Sequence, residues 1–394
     1  MARKITLEFL KTEAASGAVL GLAALAALVI ANSPWAGGYF HWLKSVQALQ
    51  VGPLGLTLTT SEWIKEGLMA LFFLVVGLEI KYEIRRGELS DPRRLATPVL
   101  AALGGMVGPA VVYFALARPL GAPTGGWPIP LATDIAFALA VFALVGKGLP
   151  TSLRVFLLTL AIVDDLGAIA LIALLFSQGA QLAPLAGVLA LLVGGGLLAS
   201  RVRVPAPIWA LSFAAVWYLT VRSGLSTSLT AVAFALIVPL QARGEAGQSP
   251  LKQAIHALHP FNAFVVLPLF AFAKAGVSFS GMTAAALASP LVIAIALGLF
   301  LGKQAGVLGM AALASRLGVG ARPSGASWMQ VYGVAILCGV GFTMSLFIGA
   351  LAFPGAVDSP QQVEVKLGVL GGSLLSVIWA SIVLSRANRR HGQP

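Results

Sequence analysis

Long apolar stretches recur from one end of the chain to the other, and they constrain the fold more than any other feature. A helix needs about 20 predominantly apolar residues to cross the hydrocarbon core of a bilayer, and twelve stretches meet that requirement. A single such helix could lie in the core of a water-soluble protein, but twelve in succession exclude that class. Their approximate bounds are 13–32, 62–84, 95–117, 126–146, 151–176, 182–200, 206–222, 224–241, 258–277, 287–312, 328–352 and 367–385.

Composition supports an all-α polytopic membrane protein with twelve transmembrane helices. Only 10% of the residues are charged, against about 25% in soluble domains, which excludes soluble enzymes and disordered chains. The single cysteine, Cys338, excludes an intramolecular disulfide and a cysteine-rich metal site.

The basic residues that give the net charge of +12 are distributed unevenly between alternate loops. An even number of spans puts both termini on one side, and that side carries most of the 26 lysines and arginines. The positive-inside rule then predicts cytoplasmic termini, and the charge needs no nucleic-acid partner to explain it. The opposite side has only Lys44, Lys65, Arg118, Arg222 and Lys366.

Residues 46–59, between the first two spans, read as strand, turn and strand on the periplasmic side. A plain surface loop is the alternative interpretation. The open edges of a small hairpin could pair with a second copy of the chain.

Three acidic residues, Asp134, Asp164 and Asp165, fall inside predicted spans. Charge in the bilayer core is costly, and such residues usually mark ion or proton pathways. A buried carboxylate can also be a structural ion-pair partner, an interpretation that is less apt for two adjacent carboxylates.

The adjacent pair Asp164 and Asp165 suits exchange of a proton for a cation. Neighbours on a helix point about 100° apart, so the two side chains can have different surroundings. Burial and mutual repulsion both favour the neutral acid, which lets protons and cations compete near neutral pH. Oxygen ligands suit hard cations such as Na+ and Li+, and no His or Cys cluster indicates a transition metal.

Two spans contain candidate helix breaks. Pro128 and Pro130 precede Thr133 and Asp134 in the fourth span, and proline interrupts the helical hydrogen-bond ladder. A proline-rich entry to the span is the alternative. The eleventh span contains Gly339 and Gly341, which could instead serve helix packing.

The positions of these breaks predict inverted repeats. Spans 3–5 (about 95–176) and 10–12 (about 287–385) form corresponding triplets of opposite orientation, each with an interrupted middle member. Lys303 lies in the tenth span, where it could pair with Asp164 or Asp165 or extend to the interface. Lys274 is nearer a span end, which favours the interfacial interpretation there.

Four blocks give the chain its resemblance to a known family: 72–81 (FFLVVGLEIK), 132–137 (ATDIAF), 163–167 (VDDLG) and 339–345 (GVGFTMS). In order and spacing they resemble the bacterial NhaA sodium/proton antiporters over nearly the whole chain. This family is itself an example of inverted repeats, so the repeat prediction is not independent of the resemblance.

The resemblance implies roles for individual residues. Asp164 and Asp165 would bind Na+ or Li+, with protons in competition, and Lys303 would pair with Asp164. Asp134, with Thr133 nearby, would balance charge where the broken helices cross. The hairpin would join two protomers in a homodimer. The spans outside the triplets would form the interface and dimerisation bundle.

The resemblance also implies a pH response, through Glu79 near the cytoplasmic funnel and the segment 252–260 with His256 and His259. Unperturbed histidine titrates near 6.5, although ordinary interfacial histidines are an equal alternative. Ile255 stands where well-known members carry Glu, so the pH of activation could be shifted. Lys274 stands where Asn is expected, and its positive charge near the periplasmic end of the ninth span could alter cation access.

These observations predict an electrogenic Na+(Li+)/H+ antiporter of the bacterial inner membrane, pH-regulated, working by alternating access and without a cofactor. A sodium-coupled symporter of an organic solute is the alternative, although the spans offer few further polar groups. An intramembrane aspartyl protease would need its aspartates on different helices, one within Gly-x-Gly-Asp, a motif this chain lacks. We therefore predict that the protein is not an enzyme.

Overall fold

The computed structural model describes residues 2–51, 54–87, 92–146, 148–176, 181–202, 204–241 and 249–391. These residues are mostly helical, with one two-stranded sheet, which confirms a helical membrane protein with a small hairpin. The chain forms two compact units. Unit 1 comprises Met1–Lys44, Asp91–Ala168 and Ala271–Pro394, and unit 2 comprises Ser45–Ser90 and Ile169–Phe270.

The helices are numbered in chain order. They are α1 (Ala2–Ala31), α2 (Ala36–Lys44), α3 (Thr60–Trp63), α4 (Met69–Arg86), α5 (Pro92–Leu120), α6 (Ile135–Val145), α7 (Thr151–Phe176), α8 (Leu182–Arg201), α9 (Ala206–Ser223), α10 (Thr227–Ile237), α11 (Pro250–Phe261), α12 (Leu267–Ala275), α13 (Ala284–Leu287), α14 (Pro290–Leu297), α15 (Lys303–Arg316), α16 (Trp328–Leu337), α17 (Phe342–Ala352) and α18 (Pro360–His391). Three π-helical turns, Ile64–Leu68, Asn262–Val266 and Gly298–Gly302, continue one helix into the next.

Among the described residues, seven continuous helical stretches are long and apolar enough to cross a membrane, or up to nine if each of two bent helix pairs counts as one span. The predicted spans 62–84, 206–222 and 224–241 correspond to α4, α9 and α10, which are not among them. The count of twelve therefore stays a prediction. The seven stretches are Ala14–Ala31, Ala96–Leu120, Thr151–Phe176, Leu182–Arg201, Pro250–Ala275, Pro290–Arg316 and Pro360–Asn388.

Both bends fall at the breaks that the sequence indicates. The segment Thr124–Leu131 meets α6 at 44°, and α16 meets α17 at 43°. Pro128 and Pro130 lack the backbone N–H that would continue a helix, and Ala132 is already extended. In the second pair the chain passes through glycines, where an added Cβ on Gly339 would overlap the carbonyl oxygen of Leu299.

The hairpin pairs β1 (Val46–Val51) with β2 (Leu54–Thr59) in antiparallel register, with Val46 opposite Thr59. The predicted turn residues Gly52 and Pro53 lie outside the described residues, as do the basic residues Lys147, Arg203 and Arg243 of the orientation argument. The second strand leads directly into α3, where Thr59 and Glu62 form a capping box.

An apolar stripe on α7 fixes the orientation of the helix that carries two of the acidic residues. Leu153, Phe156, Leu157 and Leu160 are all at most 3% exposed and belong to one core cluster with residues of α16. Their spacing of three and four residues is that of one helix face. Asp164 is the next position of that face, so packing turns it inward.

Helices α5 and α15 approach closely through glycines on both sides. An added Cβ on Gly104 would overlap the carbonyl oxygen of Gly306, and one on Gly108 would overlap the carbonyl oxygen of Gly302. The absence of side chains lets the two backbones touch, as small residues do between membrane helices. This contact places the start of α15, and with it Lys303, against α5.

Candidate functional site

Asp164 on α7 and Lys303 at the start of α15 form a fully buried ion pair in unit 1. The Lys303 ammonium donates to Asp164 Oδ2 over 2.6 Å, and both side chains have an exposed fraction of 0%. Asp164 Oδ1 is buried without a hydrogen-bond partner among the described residues. One oxygen of this carboxylate is therefore held by an ammonium while the other keeps its lone pairs unused by those residues.

Asp165 follows on the same helix and is 2% exposed. The helical rotation of about 100° between neighbours directs it to a different side of α7 from Asp164. Within the described residues, no three His, Cys, Asp or Glu side chains cluster as a metal-binding group. Carboxylate oxygens are suitable ligands for reversible binding of a hard cation.

Asp134, only 2% exposed, lies where the two interrupted helices meet. It is the N-cap of α6, and its Oδ1 accepts from the backbone N–H of Phe137 at 3.0 Å. Its Oδ2 accepts from the backbone N–H of Thr343 at 2.9 Å and from the Thr343 hydroxyl at 2.5 Å. Both carboxylate oxygens are therefore occupied by donors from two half-helices.

The electrostatic consequence follows from helix direction. Helix α6 begins after Asp134 and α17 begins at Phe342, so the carboxylate faces the N-termini of both. Each N-terminus carries a partial positive charge, which a nearby carboxylate stabilises. Asp134 can thus balance the dipoles of two half-helices that end inside the bundle.

Backbone contacts join the two breaks. The Thr133 hydroxyl donates to the carbonyl of Cys338 at 2.9 Å, and the Asp134 N–H donates to the carbonyl of Val340 at 2.7 Å. The Ser345 hydroxyl donates to the carbonyl of Ile129 at 2.7 Å. These bonds satisfy carbonyls that the helix breaks leave free, as an interruption inside a membrane requires.

The crossing and the ion pair lie beside one buried cluster. Cys338 belongs to the same cluster as Leu160 and Val307, which lie one helical turn from Asp164 and Lys303, and the carbonyl of Cys338 accepts from Thr133. The structure therefore brings Thr133, Asp164 and Lys303 into one neighbourhood of unit 1.

The residues assigned to the pH response belong to unit 2. His259 Nδ1 lies 3.0 Å from Glu79 Oε1, and each side chain is about one-third exposed. His256 is exposed on the same helix, α11. The helix containing these histidines begins at Pro250 rather than at the predicted position 258.

Two lysines differ from their expected surroundings. Lys274, expected to reach the interface, is only 6% exposed. Lys366, counted with the outer loops, is a buried residue of α18 whose ammonium donates to the carbonyls of Gly276 and Val357. Lys366 is helical because α18 begins at Pro360, seven residues before the predicted start of the last span.

Sequence reasoning missed Thr343 as a site residue, although it lies within the block 339–345. The available signal was positional: Thr343 follows the break of the second triplet much as Asp134 follows the break of the first. Its two donors to Asp134 link α17 to the N-cap of α6.

Comparison with known proteins adds independent evidence. The model of the family Na+/H+ antiporter 1 matches residues 7–384. The chain is 48% identical over 386 residues to Na+/H+ antiporter NhaA 2 of Pseudomonas syringae pv. syringae, covering 97% of this chain and 95% of that relative. It is 48% identical to Na+/H+ antiporter NhaA of Caulobacter vibrioides over 98% of this chain and 92% of the relative.

A third relative, Na+/H+ antiporter NhaA of Rhodospirillum rubrum, is 47% identical, with 97% of each chain covered. The resemblance inferred from the four sequence blocks is thus confirmed over almost the full length. The chain belongs to the Na+/H+ antiporter 1 family.

Proposed function

We propose that this multi-pass membrane protein, a transporter and not an enzyme, exchanges Na+ for protons across the bacterial inner membrane. The observation that carries the proposal is the buried pair Asp164 and Asp165 in a member of this family, with one Asp164 oxygen unused by the described residues. Competition for these carboxylates couples the two fluxes without covalent chemistry and without a cofactor.

The exchange follows from charge at the pair. When the site faces the cytoplasm, Na+ binds the ionised carboxylates of Asp164 and Asp165 and displaces their protons. To bind Asp164 fully, Na+ must also displace the Lys303 ammonium. On the other side, protons displace the cation. Li+ is a second hard cation that these oxygens suit.

Alternating access is supported by the two bent helix pairs, whose similar angles of 44° and 43° suit a pair of inverted repeats. In this proposal the chain has twelve spans, with 95–176 and 287–385 as the ion-binding bundle and the remaining spans as the interface bundle. Asp134 balances the half-helix dipoles, with Thr133 beside it. Both termini are cytoplasmic, as the distribution of basic residues indicates.

Regulation by pH is proposed for Glu79, His256 and His259. The 3.0 Å contact between His259 and Glu79 supports this role, because protonation of His259 turns a hydrogen bond into an ion pair. Homodimerisation through the edges of the hairpin 46–59 is also part of the proposal, and unpaired strand edges support it.

The test is proton movement in vesicles that contain the purified protein and have an acidic interior. NaCl, LiCl and KCl are added in turn, and the series is repeated from acid to alkaline pH. Collapse of the proton gradient by Na+ and Li+ but not by K+ is the expected result. No response to any cation at any pH, from protein shown to be folded, would overturn the proposal.

A further inference from the structure

A chain of three hydrogen-bonded side chains ends beside the buried ion pair. Trp379 on α18 donates its indole N–H to the hydroxyl of Tyr332 on α16 at 3.1 Å. Tyr332 in turn donates to Oε1 of Gln304 on α15 at 2.9 Å. Gln304 directly follows Lys303, so the chain links two neighbouring helices of unit 1 to the residue next to the ammonium.

The direction of these hydrogen bonds fixes the orientation of the Gln304 amide. An indole N–H can only donate, so the Tyr332 hydroxyl accepts from Trp379. In the structure the same hydroxyl donates its own proton to Gln304 Oε1. Gln304 Nε2 then points away from Tyr332, and it is buried without a hydrogen-bond partner among the described residues. Neither an indole N–H nor a primary amide readily relays protons, so these hydrogen bonds suit a structural role better than proton transfer.

The contact with Tyr332 adds a second anchor to the first turn of α15, beside the packing of Gly302 against α5. The π-helical turn Gly298–Gly302 immediately precedes Lys303 and begins and ends with glycine. Irregular turns of this kind often occur at functional sites. Because lysine is long, a small rotation of α15 moves the Lys303 ammonium far from Asp164.

The stability cost of Gln304 supports a functional role. The residue is 8% exposed, and a buried amide donor without a partner destabilises a protein relative to an apolar side chain of similar shape. A leucine at this position would avoid that cost but could not accept the hydrogen bond from Tyr332.

We propose that Tyr332 and Gln304 are positioning residues that hold Lys303 on Asp164 and thereby set the Na+ concentration at which exchange proceeds. The inference rests on the proposed function, in which Na+ displaces the Lys303 ammonium. A firmly held ammonium raises the Na+ concentration required, and a loosely held one lowers it.

Tyr332→Phe removes only the hydroxyl and is the main test. Na+-driven proton movement is measured in proteoliposomes over a range of Na+ concentrations at one alkaline pH. The KM for Na+ is expected to fall about threefold or more, as the loss of one hydrogen bond allows. The maximal rate should change less than the KM, a split that reduced folding alone does not produce.

Gln304→Leu removes the other end of the same contact. Gln304→Leu should lower the KM for Na+ as much as Tyr332→Phe does. The double variant should have the same KM as either single variant, because each substitution removes the same interaction. The thermal unfolding midpoint of Gln304→Leu should not fall, so a folding defect cannot account for the lower KM. Trp379→Phe should act in the same direction with a smaller effect.

Tyr113→Phe is the matched control, since Tyr113 is a buried tyrosine of unit 1 whose hydroxyl donates to the carbonyl of Pro123. It should leave the KM unchanged. An unchanged or raised KM in both Tyr332→Phe and Gln304→Leu overturns the inference, as does an equal fall in the control. Failure of the unsubstituted protein to exchange Na+ overturns the proposed function itself, which is a distinguishable result.

Discussion

Asp134 and Asp164 are both buried aspartates of unit 1, yet their oxygens are used in opposite ways. Asp134 accepts hydrogen bonds on both oxygens, from Phe137 and Thr343. Asp164 accepts from Lys303 on one oxygen, and the described residues leave the other without a hydrogen bond. A carboxylate whose oxygens are all engaged by the protein stabilises a structure, whereas one with unused lone pairs can bind a cation. Burial alone does not separate these roles.

The largest effect is expected at the proposed exchange site, Asp164 and Asp165. Asp165→Asn keeps the size of the side chain but removes the carboxylate that we propose releases a proton and binds a cation. Exchange should fall to background while the protein still folds, because the substitution removes no packed volume. Na+-driven proton movement measures the loss of exchange, and a thermal unfolding curve shows whether the protein still folds. Retained exchange would refute the assigned site.

At the crossing, the main effect should be on stability. Asp134→Ala removes the N-cap of α6 and leaves the buried N–H and hydroxyl of Thr343 without their acceptor. The free energy of unfolding should fall by about 3 kcal/mol. Thermal or denaturant unfolding in detergent measures it. Unfolding identical to that of the unsubstituted protein would remove the distinction between the two carboxylates.

A finer test separates the hydroxyl of Thr343 from its backbone. Thr343→Val keeps the shape of the side chain and the N–H bond to Asp134 but removes the hydroxyl bond. A loss of about 1 kcal/mol in unfolding free energy is expected, with the KM for Na+ little changed. Ser345→Ala, which removes a hydroxyl bond to Ile129 instead of Asp134, is the matched control for the rate of exchange.

The smallest effect should arise in unit 2. Glu79→Gln replaces the carboxylate that lies 3.0 Å from His259 Nδ1, so the pH profile of exchange should shift. The shift should be less than about one pH unit, because both side chains are one-third exposed and screened by water. A pH profile of exchange checks it; a profile superimposable on the original would exclude this contact from the pH response.

The sequence contained enough information to select the three buried aspartates, because a charged residue inside an apolar stretch stands out against its neighbours. Prolines and paired glycines likewise indicated where helices bend. The hairpin was predictable because strand and turn residues alternate over a short distance. All of these signals are local.

The contacts that the sequence could not predict join residues far apart in the chain. Thr343 reaches Asp134 across 209 positions, and Lys366 reaches Gly276 across 90. The contact of Tyr332 with Gln304 depends on the rotation of α15 and α16 about their axes. The π-helical turn before α15 changes the rotation of that helix, and the change has no signature in the hydrophobic periodicity of the sequence.

The glycine contact between α5 and α15 has a mechanical consequence. Because Gly104 and Gly108 lie against the backbone of Gly302 and Gly306, sliding one helix along the other would bring larger side chains against the facing backbone. In the proposed alternating access, we therefore expect α5 and α15 to move together. A covalent crosslink between these helices should therefore leave transport running.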